Sequence, residues 1–233
     1  MEKTTVQSVF DSAALNYDTM NTLMSLGMHG SWKRSAVALS SLYPGDRVLD
    51  LAAGTCDITY ELYQKYRGEI EVVAADPNVA MLQRGRDRLV DSGVVKNIHF
   101  CHCFAENLPF EDTGFDLVIC AFGFRNFSDK PAALAEIKRV LKPGGQCIIL
   151  EFSHAQSSLM RHAYHTHTHF GIPIMCQITG SKQSDYDYLV ESIAKHPDQD
   201  QVLRLLDDAG FVHCSYRNLL SGIVSIHKAV CSL

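Results

Sequence analysis

The amino-acid sequence predicts an α/β domain built on a mostly parallel seven-stranded sheet that an antiparallel C-terminal hairpin closes. Three observations carry that expectation. Short apolar runs of strand length alternate with amphipathic runs of helix length through most of the chain. Gly, Pro, Asn and Asp punctuate the junctions. The end of the chain breaks the alternation and sets two strand-like runs around a tight turn. With 233 residues, 46% hydrophobic and 20% charged, the chain is large enough for one domain with a substantial core.

The elements follow in order. RVLDLA (Arg47 to Ala52) is an apolar run between Pro44-Gly45-Asp46 and Gly54, which reads as a buried strand. Asp57 is expected to cap a helix to about Tyr66, with Ile58, Leu62 and Tyr66 at helical spacing. EVVAAD (Glu71 to Asp76) is the second strand, and Pro77-Asn78 opens a helix with Met81, Leu82 and Leu89 on one side. IHFCHC (Ile98 to Cys103) and FDLVICAF (Phe115 to Phe122) are strands three and four. Asp129-Lys130-Pro131 begins a helix to Leu141, and LKPGG is expected to turn sharply into the strand CIILEF (Cys147 to Phe152). The run HPDQDQVLRLLDDAGF is a helix capped near Pro197-Asp198 and closed at Gly210, and FVHCSYRNL and GIVSIHKAV flank Leu220-Ser221 as the hairpin. Strand–helix–strand repeats imply right-handed crossovers and a sheet covered on both faces.

Two segments fall outside this core. Residues 1–43 read as helical, with an apolar stripe at Met20, Leu23, Met24 and Met28 that suits packing or a pliable wall for an apolar ligand. Residues 154–196 are rich in His, Tyr and apolar side chains. Both are expected to be lid-like additions to a single domain spanning 1–233. A parallel sheet finished by a hairpin is the arrangement of Rossmann-like class I S-adenosylmethionine-dependent methyltransferases, an analogy of fold that needs evidence from a site.

Composition narrows the partners. The net charge of −5 argues against a protein built to coat nucleic acid. No window approaches the ~18 apolar residues of a membrane span. The start, MEKTT, is polar, and the eight cysteines sit mostly in apolar strand-like runs, as reduced thiols do. A soluble, cytoplasmic protein is expected. His162, His165 and His169 share a helical face near His167 but lack an acidic or cysteine partner, and Cys101-x-Cys103 lacks a second pair, so no metal is expected.

In an open parallel sheet, ligands bind beyond the carboxyl ends of the strands at the switch point. The first strand ends in DLAAGTCD (Asp50 to Asp57), and the second ends in Asp76, 22 residues after Gly54. An acid there can accept hydrogen bonds from two ribose hydroxyls. A dinucleotide's pyrophosphate calls for three glycines, whereas this loop has one. S-adenosylmethionine has no phosphates, so one close approach at Gly54 beside Asp50 and Asp57 suffices. The plainer alternative is that Asp57 only caps a helix and Asp76 only ends a strand. FAENLPF (Phe104 to Phe110) would then lie beside the adenine, and AFGFRNFSD (Ala121 to Asp129) would point towards the substrate.

The stretches FDSAALNYDTMN, SLGMHGSWKR, VLDLAAGTCD, ENLPF, FGFRNFSDK, RVLKPGG, LEFS, YLVESIAKHPDQD and AGF together resemble the ubiquinone/menaquinone biosynthesis C-methyltransferase family, from about Phe10 to His227. KPGG is common to many methyltransferases; SLGMHGSWKR, FGFRN and YLVESIAKHPDQD are far more specific. The resemblance implies methyl transfer from S-adenosylmethionine to a ring carbon of a polyprenylated quinol. It does not separate demethylmenaquinol from the 2-polyprenyl-6-methoxy-benzoquinol of ubiquinone synthesis. It carries cofactor contacts onto Thr55 in the loop, Asp76 on the ribose and Ala105 beside the adenine.

Four positions depart from the family's pattern. Ala53 and Cys56 replace glycines of DLAGGTGD, Phe104 replaces an Asp or Asn at the adenine amine, and Ala121 stands where a serine is common. One lost hydrogen bond is worth about 0.5–1.5 kcal/mol, so cofactor binding is expected to be weaker than in a typical relative. A stacking Phe104 would offset part of that.

Carbon methylation needs a reduced, nucleophilic quinol ring held in line with the methyl group. Arg125 is the candidate to hold the oxyanion or a deprotonating water, with a structural ion pair as its alternative. Asn126 could orient the ring, and His29 could be the base. Tyr186 or Asp185 could close over the site, and Tyr17 and Asp18 could cover the cofactor. A polyprenyl tail implies peripheral contact with the inner face of a membrane, and a homo-oligomer is compatible with the pattern. Two other functions remain open: a methyltransferase for another small molecule, and a non-catalytic binding protein, for which the altered glycines, Phe104 and Ala121 speak.

Overall fold

The computed structural model describes residues 22, 25, 27–166 and 183–232. Tyr17, Asp18, Met20, Leu23, Met24, His167 and His169, and the side chains of His165, Asp185 and Tyr186, lie outside that description. A helix α1 (His29–Ala38) precedes β1 (Arg47–Leu51), α2 (Asp57–Tyr66), β2 (Glu71–Asp76), α3 (Val79–Asp91) and β3 (Ile98–His102). After β4 (Phe115–Ala121) and a 3-10 turn at Phe124–Asn126 come α4 (Lys130–Val140) and β5 (Leu141–Phe152). Among the described residues after β5 are the helices α5 (Ser158–Thr166) and α6 (Gln183–Lys195), followed by α7 (Gln199–Asp208), β6 (Phe211–Leu219) and β7 (Val224–Cys231).

The seven strands form one sheet in the order β3-β2-β1-β4-β5-β7-β6. β1 to β5 pair in parallel, and β7 runs antiparallel to both β5 and β6. The order reverses direction at β1, so the crevice for a ligand opens between the carboxyl ends of β1 and β4. Alternate residues of each central strand serve opposite faces. Val48, Val72, Leu117 and Ile148 pack with Trp32, Leu62 and Ile193. Leu49, Val73, Val118 and Ile149 pack with Leu134, Ile137 and Leu206 on the other side. No helix among the described residues is long and apolar enough to cross a membrane.

Helix starts follow side-chain capping. Asn78 accepts from Met81 N at 3.0 Å and Asp129 from Ala132 N at 3.0 Å. Asp198 forms a reciprocal capping box with Gln201. Behind that box, the Gln199 amide donates to the carbonyls of His154 and Gly222, each at 3.0 Å, so the HPDQ stretch clamps the end of β5 to the hairpin.

Two sequence expectations change. Asp57 is not the cap of α2: Cys56 holds that position, without a side-chain hydrogen bond. Asp57 instead takes ion pairs from Lys33 of α1 and Arg88 of α3, binding three helices together. Burial alone would raise its carboxyl, but the two cations hold it below the usual carboxylate range. LKPGG is not a turn before the strand. Phe115 pairs with Leu141 and, after a register shift, Leu117 pairs with Gln146, so Lys142–Gly145 bulges within β5.

Cys56 has φ +63°, the left-handed region where glycine is at ease, whereas Ala53 does not. The Cys56 side chain is accommodated by Gly85 of α3: a Cβ on Gly85 would stand 2.5 Å from Cys56 Sγ and 2.9 Å from the Thr55 carbonyl carbon. Gly85→Ala should therefore lower the stability by about 1–3 kcal/mol in a urea titration, as overpacking does. Cys56→Gly in that background should recover part of the loss.

Candidate active site

A cavity of about 330 Å³ opens over the carboxyl ends of the central strands. Its first wall comes from the loop after β1. Ala52, at φ +58°, and Gly54, at φ +53°, both line it. The loop is held by Asp76 at the end of β2, whose Oδ2 accepts from Gly54 N at 2.8 Å and whose Oδ1 accepts from Asn78 N at 2.8 Å. Asp76 lines the cavity yet is only 8% exposed, and burial pushes its carboxyl up to about 6.

Asp50 sits one layer beneath. It is buried and does not line the cavity; its Oδ2 accepts from Thr59 N at 3.0 Å and Thr59 Oγ1 at 2.6 Å. Its Oδ1 is buried with no hydrogen-bond partner among the described residues, and burial raises its carboxyl to about 7. A neighbouring cation would meet both needs of this acid.

The loop after β3 forms the second wall. Phe104 presents a 38% exposed ring beside the buried Ala105. Glu106 reaches across to the loop after β4, where Oε1 accepts from Ser128 N and Ser128 Oγ, each at 2.7 Å. That loop makes a close approach: a Cβ on Gly123 would stand 2.4 Å from the Ala52 Cβ, so no larger residue fits without displacing the loop after β1.

The 3-10 turn forms the far wall. Arg125 lines the cavity, and its Nη1 donates to Glu151 Oε1 and to Phe122 O, each at 2.6 Å. The two side chains are 4% and 1% exposed, so the ion pair is buried. Arg125 N also donates to Glu151 Oε2 at 3.1 Å. Arg125 is therefore ion-paired, the alternative reading of this residue, and it also lines the cavity. Asn126 lies beside it and accepts from the hydroxyl of Tyr188, on α6, at 3.0 Å. Lys130 closes the floor, donating to Arg125 O at 3.1 Å and Phe127 O at 3.3 Å.

The structure thus brings Gly54, Asp76, Phe104, Ala105, Arg125 and Asn126 to one cavity. It does not bring Thr55, Ala121 or His29 to its wall. Thr55 is buried behind the loop, Ala121 packs against the Trp32 side of the core, and His29 Nε2 lies 3.4 Å from Thr22 Oγ1. Glu151, Glu106 and Tyr188 were missed. Glu151 carried a signal, as a lone charge in the apolar strand CIILEF; Tyr188 carried none that separates it from Tyr186 before α6 is placed. Among the described residues no group of three metal-ligating side chains assembles.

Comparison with known proteins agrees with this geometry. The model of the ubiE/COQ5 methyltransferase family matches residues 1–231. The chain is 49% identical over 223 residues to the ubiquinone/menaquinone biosynthesis C-methyltransferase UbiE of Stenotrophomonas maltophilia (strain K279a), covering 96% of this chain and 88% of that one. It is 47% identical over 227 residues to the protein of the same name from Xylella fastidiosa (strain M23), covering 97% and 90%. In fold it is similar to the methyltransferase solved in complex with the Trm112 methyltransferase activator of Haloferax volcanii, with a TM-score of 0.72, 18% identity and 98% of each chain covered. With that sheet order, that cavity and near-half identity along almost its whole length, the chain belongs to the ubiE/COQ5 methyltransferase family.

Proposed function

We propose that the cavity holds S-adenosyl-L-methionine against Asp76 and Gly54 and a polyprenylated quinol against Arg125 and Asn126, and that the chain methylates a ring carbon of that quinol. Membership of the family makes it an S-adenosylmethionine-dependent C-methyltransferase of quinone biosynthesis. The observation that carries the residue assignment is that the Asp76–Gly54 wall and the Arg125–Asn126 wall face one cavity across the switch point.

Asp76 can accept from the ribose hydroxyls with the lone pairs that Gly54 and Asn78 leave free. Asp50, one layer beneath the cavity wall, offers the ammonium a counter-charge from behind the loop and not a direct contact. Phe104 and Ala105 give the adenine an apolar wall, with ring stacking in place of a side-chain acceptor. When bound, the cofactor supplies an electrophilic methyl group on a cationic sulfur.

On the substrate side, Arg125 is not a base, because a guanidinium stays protonated in proteins. Held by Glu151, it fixes the Phe124–Asn126 turn and leaves a nearly neutral wall for the quinol ring. The polyprenyl tail favours peripheral contact of a cytoplasmic enzyme with the inner face of a membrane. Demethylmenaquinol is the first substrate to test, with the methoxy-benzoquinol as the second.

Calorimetry should detect binding of S-adenosylmethionine and S-adenosylhomocysteine but not NADH. Asp76→Ala should weaken both by about 10–100-fold, the worth of hydrogen bonds to a charged group. Methyl transfer should require the reduced quinol, and cofactor binding without transfer to either quinol would overturn the substrate assignment.

The acids set a pH dependence. Asp50 and Asp76 carry raised carboxyls, about 7 and about 6, and a cationic ligand favours their ionised forms. Affinity should therefore climb as pH rises through these values and then level off, and Asp50→Asn should flatten the climb. For the ligand-free protein the sign is opposite: folded values above the unfolded range give stability that is complete below about pH 4 and lost as pH rises through about 6–7. Asp50→Asn should remove its share of that loss in denaturant titrations across this range.

A further inference from the structure

We propose that Tyr188 is a positioning residue that sets the sense of the Asn126 side-chain amide and so makes Asn126 a hydrogen-bond donor to a ring oxygen of the quinol. The inference rests on the substrate reading above and goes beyond it, because it assigns a task to α6.

The geometry is specific. The Tyr188 hydroxyl donates to Asn126 Oδ1 at 3.0 Å, and both side chains line the cavity. With its oxygen turned to α6, Asn126 presents its Nδ2 amide elsewhere, and that amide has no partner among the described residues. The turn that carries it is rigid: Asn126 N donates to Gly123 O at 3.0 Å, and the neighbouring Arg125 is fixed by Glu151 through side chain and backbone. A side-chain amide alone has two nearly equivalent orientations, acceptor or donor towards the cavity, and a hydroxyl that donates to its oxygen favours the one seen here. Burial raises the Tyr188 phenol, which keeps its proton in place over the working pH range.

A donor towards the quinol has a chemical consequence. The ring carbon becomes nucleophilic as a hydroxyl of the quinol gives its proton to water and its oxygen gains negative charge. An N–H aimed at that oxygen binds the anion more strongly than the neutral hydroxyl, so it lowers the barrier rather than only tightening substrate. Were the amide reversed, its carbonyl oxygen would face the anion and oppose the same change.

The test compares Tyr188→Phe, Asn126→Ala and the double variant in the full chain. The probe is dithionite-reduced 2-prenyl-1,4-naphthoquinone. Tyr188→Phe should lower kcat about tenfold with KM for the quinol changed much less, and leave the dissociation constant for S-adenosylhomocysteine within about twofold. In the dead-end complex with S-adenosylhomocysteine, the absorbance of the bound quinolate should report an apparent pKa about one unit higher in Tyr188→Phe than in the unmodified protein. In the Asn126→Ala background, Tyr188→Phe should add less than about twofold, because there is no amide left to orient.

An unchanged quinolate pKa and kcat in Tyr188→Phe would overturn the proposal. So would a fall in turnover matched by equal losses in thermal midpoint and S-adenosylhomocysteine binding, the signature of a packing role. Failure of the unmodified protein to bind this quinol or the methoxy-benzoquinol, with S-adenosylhomocysteine still bound, would overturn the substrate reading and this inference together.

Discussion

A single buried carboxylate organises the centre of this molecule. Asp76 ends β2 and turns both its oxygens on backbone N–H groups, those of Gly54 and Asn78. One bond shapes the loop after β1, the other the turn into α3. The carboxyl faces the cavity and is nearly enclosed, so it has little water to replace those donors. The loop it holds contains Ala52 and Cys56 in left-handed backbone conformations, and across the crevice Phe122 adopts another. Residues in this region cost free energy unless their surroundings impose the conformation. Ala52 and Phe122 adopt it in the cavity wall itself.

The opposite wall relies on a second buried charge. The Arg125–Glu151 pair is almost fully removed from water, an arrangement that costs desolvation and leaves an uncompensated buried charge if either partner is removed. Here it pins a three-residue turn between the end of β4 and α4, and through Asn126 that turn meets Tyr188 of α6. The cavity therefore has two rigid walls on the sheet and a third supplied by the segment after β5. Glu106 links the second wall to the loop after β4 through Ser128.

Much of this was legible because strand and helix patterns are local. The strands from Arg47 to Phe152 lie within a residue or two of their expected bounds, except where Lys142–Gly145 bulges inside β5. Proline and two glycines spell a turn locally, yet pairing of Leu141 with Phe115 recruits that stretch into the ladder. Asp57 illustrates the same limit: its position before an amphipathic run is that of a cap, but Lys33 and Arg88, far off in sequence, decide its partners. Gly85 could not have been paired with Cys56 by spacing at all; only the packing of α3 on the loop reveals that a missing side chain on one makes room for the other.

From residues alone came the α/β class, the succession of strands and helices along the chain, the single-glycine loop that suits an adenosyl cofactor, and the candidates Asp76 and Arg125-Asn126. These are properties of periodicity and short spacing, which neighbouring residues dictate whatever the rest of the chain does. Tertiary structure alone decided which candidates face the cavity. Thr55, Ala121 and His29 do not line it, Asp50 is held one layer down by Thr59, and Glu151, Glu106 and Tyr188 join the site from elements distant in sequence. The reason is physical: a side chain's direction depends on strand register and on the helix packed above it, and the burial that tunes Asp50 and Asp76 exists only once the sheet, its loops and α6 have closed around them.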